Sequence, residues 1–288
     1  MAGFFGIGDY TKAGAGIAKN QNKGRLKLFF EILETRIWKL FVLNLIYVLA
    51  CIPVITIGPA TAGLFRVVKN YSIDKHAFVW QDFKQGFKEN FFKAFVLGII
   101  DIIAYSGIAC GIVMYTGAMA KCADSQRIFF LLLLAATLSA ALTFTIMNYY
   151  IYLMMVGTNL TMRQIVSNSL KFAFMTPKQN FLALLCNIGL PLIIFTPIVL
   201  IEKLQPLLTI IFPFAPAAII AFVISFCCYP VIQKFVIDPY YESRGEKNPE
   251  RYYDEPVDDE EEVLFEDMGG KEKPVIPKEN KGKGKVIS

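Results

Sequence analysis

Asp101 is the residue with the sharpest chemical meaning in the chain. It lies inside an apolar run, past Lys93 and ahead of Thr116. A carboxylate in hydrocarbon is costly unless it is paired, protonated or wetted, so an intramembrane acid is a functional candidate by default. Tyr105 follows one helical turn later on the same face, placed to donate to it. Asn44, Asn148 and Asn187 are polar groups in three other apolar runs. They serve either as hydrogen bonds between helices or as the lining of a polar pocket. The candidate polar membrane site is therefore Asp101, Tyr105, Asn44 and Asn187. The competing reading puts Asp101 near the head-groups, capping a neighbouring helix.

Other chemistry is sparse. General acid–base or nucleophilic catalysis needs a clustered carboxylate pair or a Cys/His pair, and none can be assembled, so no catalytic residue and no enzyme are expected. There is no phosphate-binding loop, nucleophile elbow, zinc-protease motif or dinucleotide fingerprint. The single histidine, His76, and six cysteines without a C-x-x-C spacing give no metal site. Cys51, Cys110, Cys122, Cys186, Cys227 and Cys228 are expected to act as packing residues. No cofactor is expected.

These residues must be positioned by membrane helices. The chain of 288 residues is 55% hydrophobic, above the share usual in soluble domains. The excess is gathered in runs near the roughly 20 residues that a membrane helix needs. The expected class is an all-α polytopic integral membrane protein with about five transmembrane helices, amphipathic surface helices and a disordered C-terminal tail. The spans are expected near Trp38–Ile57, Ala94–Thr116, Ile128–Leu153, Phe181–Ile201 and Leu207–Gln233. Gly107 and Gly111 form a G-x-x-x-G that permits close helix approach. Pro191 and Pro197 interrupt the fourth run, and Pro213 and Pro216 the fifth. The first residues, Met1–Ala18, lack the apolar core of a cleavable signal.

Residues 1–36 form a polar segment ending in an amphipathic surface helix, residues 37–238 the transmembrane domain, and residues 239–288 the tail. A second amphipathic helix is expected within the polar segment Arg66–Lys93, where Val79, Phe83, Phe87 and Phe91 recur at helical spacing beside Asp82, Lys84 and Lys88. It is either a docking helix for a soluble partner or a helix that skims lipid. A third is expected within Gly157–Asn180. Lys88-Glu89-Asn90-Phe91 opens the second span and Lys178-Gln179-Asn180-Phe181 the fourth, a weak internal repeat.

The first run is broken at Pro53 and again at Gly58-Pro59. Lipid tolerates such a break only where protein or a wet cavity satisfies the freed backbone. The stretch Ile52-Pro53-Val54-Ile55-Thr56-Ile57-Gly58-Pro59-Ala60-Thr61-Ala62 resembles the signature of the YesL-like family. Pro53, Thr56, Gly58, Pro59 and Thr61 form the signature turn. Leu43-Asn44-Leu45, Asp82-Phe83 and Lys88-Glu89-Asn90-Phe91 resemble the pattern too, and the likeness covers roughly Gly3 to Tyr240. It implies a bacterial integral membrane protein, often encoded beside carbohydrate-utilisation and sugar ABC-transporter genes. A transport-associated role follows as an expectation, with ABC-transporter permease or ATPase subunits as expected partners. The alternative is a non-transporting scaffold that recruits a soluble partner through its tail.

Charge sets the orientation. The net charge of +5 comes from basic residues that flank apolar runs. This points to anionic lipid head-groups, not nucleic acid. Lysines and arginines crowd Arg66–Lys93, Arg163–Lys178 and Lys234–Arg251, whereas the intervening loops hold Lys121, Arg127 and Lys203. The crowded side is expected in the cytoplasm, in the cell membrane, with the tail there as well. The basic N-terminal segment conflicts with this if Trp38–Ile57 crosses once. Five crossings with an external N-terminus is the favoured expectation, and a re-entrant Trp38–Phe65 with both ends cytoplasmic is the other. Past Asp238, an acidic block, Asp254–Asp267, precedes a basic one, Lys271–Lys285, and blocks of like charge do not fold alone.

Overall fold

Pro53 decides the first element. Helix α1 runs unbroken over Arg25–Cys51, because no proline or glycine interrupts it before Pro53, which has no N–H and disfavours helical backbone at Ile52. The expected surface helix and first span are therefore one helix. After a 3₁₀ turn at Val54–Thr56, α2 returns over Ile57–Ser72. Near the turn the Tyr47 and Thr61 hydroxyls approach to 3.4 Å. At the other end Arg36 bonds Asp74 Oδ1 at 2.5 Å and the Lys75 carbonyl at 2.8 Å. So α1 and α2 form an antiparallel hairpin with Arg36 and Asp74 together at its open end. A single crossing at Trp38–Ile57 would have separated these residues, and the hairpin replaces that expectation. This computed structural model describes residues 25–200, 206, 217–246 and 248–250, all within the unit Asn22–Asp254.

Helix α2, expected to leave the membrane as a polar loop after Arg66, instead carries the core. Val67, Val68 and Tyr71 are fully enclosed. It ends in a Schellman motif: the Lys75 N–H donates to the Asn70 carbonyl at 2.9 Å and the Asp74 N–H to that of Tyr71 at 3.0 Å. Asp74 supplies the left-handed residue, φ 53°, that glycine usually fills. Helix α3, Val79–Glu89, packs back onto α2. A methyl at Gly63 would meet Phe83, and one at Gly86 the Arg66 side chain.

Two long antiparallel helices follow, α4 over Phe91–Lys121 and α5 over Asp124–Gly157. Their outer halves are largely bare, with Ile103, Val113, Ile128 and Leu132 each more than 60% exposed. A long apolar surface of this kind suits lipid and not water. Then come α6, Met162–Met175, α7, Pro177–Leu200, and α8, Ala217–Ile232. Helix α7 continues through Pro191 and Pro197 without the expected break. In α8, Pro230 cannot donate to the Phe226 carbonyl, and Arg25 Nη2 takes that acceptor at 2.9 Å. A π-turn at Gln233–Ile237 and a short α9, Asp238–Glu242, follow.

The described residues are otherwise turns and bends between helices. Among the described residues, three helices are long and apolar enough to cross a membrane: Phe91–Lys121, Ser125–Gly157 and Ala217–Glu242. The expected N-terminal polar segment, Pro213, Pro216 and the charged tail beyond Glu250 lie outside the described residues. Residues 239–250, assigned to the tail from sequence, are partly folded onto the body: Lys69 Nζ pairs with Glu250 at 2.9 Å.

The internal repeat has a structural counterpart. At each junction of an amphipathic helix with a long apolar one, a buried asparagine ties the two. Asn90 Nδ2 donates to the Gly86 carbonyl of α3 at 3.4 Å. Asn180 Nδ2 donates to the Phe172 and Ala173 carbonyls of α6 at 3.0 and 2.9 Å. The Ala173 carbonyl has no backbone donor, because Pro177 stands four residues on, and Asn180 supplies one; the Gly86 and Phe172 carbonyls also accept the backbone N–H groups of Asn90 and Thr176.

Candidate functional site

Asp101 sits in the inner third of α4, facing α5, and is half-buried. Both carboxylate oxygens accept hydrogen bonds from α5: Asn148 Nδ2 reaches Oδ1 at 2.9 Å, and the Tyr152 hydroxyl reaches Oδ2 at 2.8 Å. Asn148 and Tyr152 stand four residues apart and so share one helix face. The Tyr152 ring stacks on Phe65 of α2, centroids 5.9 Å apart. The core helix thus sets the angle from which Tyr152 meets the acid.

Tyr105 does not donate to Asp101. Its hydroxyl pairs with Thr145 at 3.2 Å and lies 3.5 Å from Asn148 Nδ2, with Phe144 edge-on at 5.4 Å. It is a neighbour in the same network, joined through Asn148. The buried Asn148 Oδ1 has no hydrogen-bond partner, and an unpaired buried acceptor costs about 1–3 kcal/mol. Asn148 cannot flip to relieve this, since its amide N–H is what meets the carboxylate. The arrangement is a carboxylate and an unfilled amide oxygen side by side. It can accept donors: a proton, a cation or the hydroxyls of a polyol.

The other two expected site residues are elsewhere. Asn44 in α1 accepts the Ala218 N–H of α8 at 3.2 Å, and Asn187 in α7 donates to the Tyr149 hydroxyl at 2.5 Å. Each joins two helices. Sequence reading missed Tyr152 and Thr145, although Thr145, Asn148 and Tyr152 recur at three- and four-residue steps, the spacing of a single polar stripe.

The signature turn is built for close packing. Thr56 Oγ1 donates to the Ala50 and Pro53 carbonyls at 2.5 and 2.7 Å, closing the turn, and Thr61 Oγ1 donates back to Ile57 at 2.7 Å. Pro59 enters the first turn of α2, where it forfeits no bond. Gly58 lets α2 touch α4, for a methyl there would overlap the Ala94 carbonyl and crowd Gly98. The small pair that brings helices together is therefore Ala94 and Gly98. A methyl at Gly107 would touch nothing, and one at Gly111 would make only ordinary contact with Thr137.

The expected docking helix keeps half of its surface to itself. Phe83 is buried against α2, and Phe83, Phe87, Phe91 and Phe95 follow one another in ring contact, stacked at either end and tilted between Phe87 and Phe91. Asp82 Oδ2 accepts the Phe78 N–H at 2.9 Å, capping the helix start. Lys84 and Lys88 remain exposed, with Trp80 beside them on the same helix. Those lysines are open on the surface, and Phe83 is not.

A second polar cluster lies at the open end of the α1–α2 hairpin. Glu250 accepts from Lys69 Nζ and from the Tyr229 hydroxyl. Burial would raise this carboxyl, but the Lys69 ammonium and the Tyr229 hydroxyl outweigh it and hold Glu250 below the usual range. Among the described residues no three His, Cys, Asp or Glu side chains gather as a metal-ligand set.

Comparison of the whole chain with curated proteins and with solved structures gives no match. Residues 40–115, which carry Asn44, the signature turn, α3, Asp101 and Tyr105, match the model of a family described as a protein of unknown function, DUF624.

Proposed function

We propose that this chain is a YesL-like, transport-associated component of the cell membrane that serves carbohydrate uptake without being an enzyme itself. The observation that carries this reading is the Asp101–Asn148 pair, a carboxylate beside a buried amide oxygen with no donor. A sugar offers hydroxyls that can donate to the half-buried Asp101 carboxylate. The chain has no nucleotide-binding motif, so energy comes from an ion gradient or from a separate ATPase. ABC-transporter permease and ATPase subunits are then the natural partners, met at the exposed Lys84 and Lys88.

The membrane arrangement belongs to the same proposal. Beside the three long apolar helices, α7 crosses, and the α1–α2 hairpin dips in and returns. The basic residues Arg36, Lys75, Arg163 and Lys234 face the cytoplasm, as the positive-inside rule favours, and the tail follows them there. The Arg36–Asp74 pair supports the re-entrant arrangement over an external N-terminus.

The test is uptake of labelled mono- and oligosaccharides in cells that depend on this chain. Asp101→Asn should cut uptake at least about tenfold, since hydrogen bonds to a charged group contribute about 1.5–3 kcal/mol. Truncation after Glu250 should leave it nearly intact. The reverse pattern favours a non-transporting scaffold whose acidic tail, anchored at Glu250, recruits a soluble partner.

A further inference from the structure

The inner ends of α4 and α6 enclose a groove of about 710 Å³ that the Asp101 network does not use. Val96 and Ile100 of α4 and Val166 of α6 line its floor, and Lys93, Arg163 and Ser167 stand among its walls. The floor side chains are left open: Val96 is 53% exposed, Ile100 48% and Val166 40%. Lys93 and Arg163 are exposed too, and neither pairs with a carboxylate among the described residues.

We propose that this groove is a binding site for one anionic phospholipid, its phosphate held between Lys93 and Arg163 and its acyl chain laid along Val96, Ile100 and Val166. Three features point to that occupant. First, α4 is long and apolar enough to cross a membrane, so its floor residues lie where hydrocarbon is available. Second, the groove's own surface is almost wholly aliphatic, as an acyl chain needs, with the cations at its margin. Lys93 stands two turns before Ile100, about 10 Å along the helix axis, which is the depth of a head-group and the first part of a chain. Third, Lys93 and Arg163 each fall in the first turn of their helix, α4 and α6. The positive helix ends add to their attraction for phosphate. A soluble protein partner would need the aliphatic floor to be wet in its absence, whereas a bilayer never leaves it so.

The test uses the full-length protein in nanodiscs of equal phosphatidylcholine and phosphatidylglycerol, released and weighed by native mass spectrometry. The wild type is expected to retain one phosphatidylglycerol per chain and no phosphatidylcholine. Lys93→Gln with Arg163→Gln should weaken retention about thirtyfold, from about 1 kcal/mol for each basic residue. Val96→Trp should weaken it by filling the floor with no change of charge. Lys93→Arg with Arg163→Lys should keep it, and Lys84→Gln, on the exposed face of α3, should leave it unchanged. Glycerol phosphate should fail to displace the lipid, because it lacks the chain. Equal retention of both lipids, retention indifferent to the two cations, or displacement by glycerol phosphate would overturn the proposal.

Discussion

Asp101 is a half-buried acid held from one side. Two donors from α5 satisfy the carboxylate, yet Asn148 Oδ1 stays empty. Asn148→Leu would remove the unsatisfied acceptor but also strand Asp101 Oδ1 without its donor, so it should cost about 1–3 kcal/mol, while uptake should fall as it does for Asp101→Asn. A thermal melt in detergent beside the uptake assay separates the two effects. If Asn148→Leu leaves uptake intact, the empty acceptor has no role. The second residue-scale cluster makes a prediction about pH. Glu250 has a carboxyl held below its ordinary value by Lys69 and Tyr229. A lowered carboxyl stabilises the fold above the unfolded value, about 4.3, and that stabilisation fades as pH falls through the folded value. Residues 248–250 should therefore detach only in acid, seen as a new proteolytic cleavage there. Glu250→Gln should remove the pH dependence and cost about 3 kcal/mol at neutral pH, because the buried Lys69 loses its counter-charge.

Among the elements, α2 meets α4 through a contact without a side chain, Gly58 against Ala94 and Gly98. Gly58→Val should force α2 away from α4 and cost about 1–3 kcal/mol, measured as a lowered melting temperature. Gly107→Val, on the bare face of α4, should change nothing. The repeat junctions allow a paired comparison. Asn180 donates to two carbonyls and also accepts from Tyr150 at 2.6 Å, whereas Asn90 donates to one at 3.4 Å. Asn180→Ala should thus destabilise by about 2 kcal/mol and Asn90→Ala by less than about 1 kcal/mol. Equal losses would mean that the junctions are held by packing alone.

For the whole molecule, hydropathy was enough to reveal an all-helical chain with membrane-length apolar runs, because burial in lipid leaves a long unmixed signal. The helix start and stop around Pro53 were legible for the same reason: proline acts through its own backbone. What could not be read was direction. A turn between two helices looks the same in sequence whether the chain continues outward or folds back. The Arg36–Asp74 pair that closes the open end of the hairpin joins residues 38 positions apart. Asp101 stood out as a charge among apolar residues, but its partner Tyr152 did not, since tyrosine is common near membrane surfaces. Phe83 looked like a docking residue because an amphipathic stripe does not say what covers it.

The most direct test of this arrangement is a cysteine-accessibility measurement in intact cells, on a chain with its six native cysteines replaced. Single cysteines at Lys27→Cys, Ser243→Cys and Ser125→Cys would be exposed to a membrane-impermeant thiol reagent. All three parent side chains are on the protein surface. The re-entrant hairpin predicts that the first two are protected until the cells are opened and that the third, at the turn of α4 and α5, labels from outside. Labelling of Lys27→Cys from outside while Ser243→Cys stays protected would contradict it, and would restore a single crossing by the first apolar run.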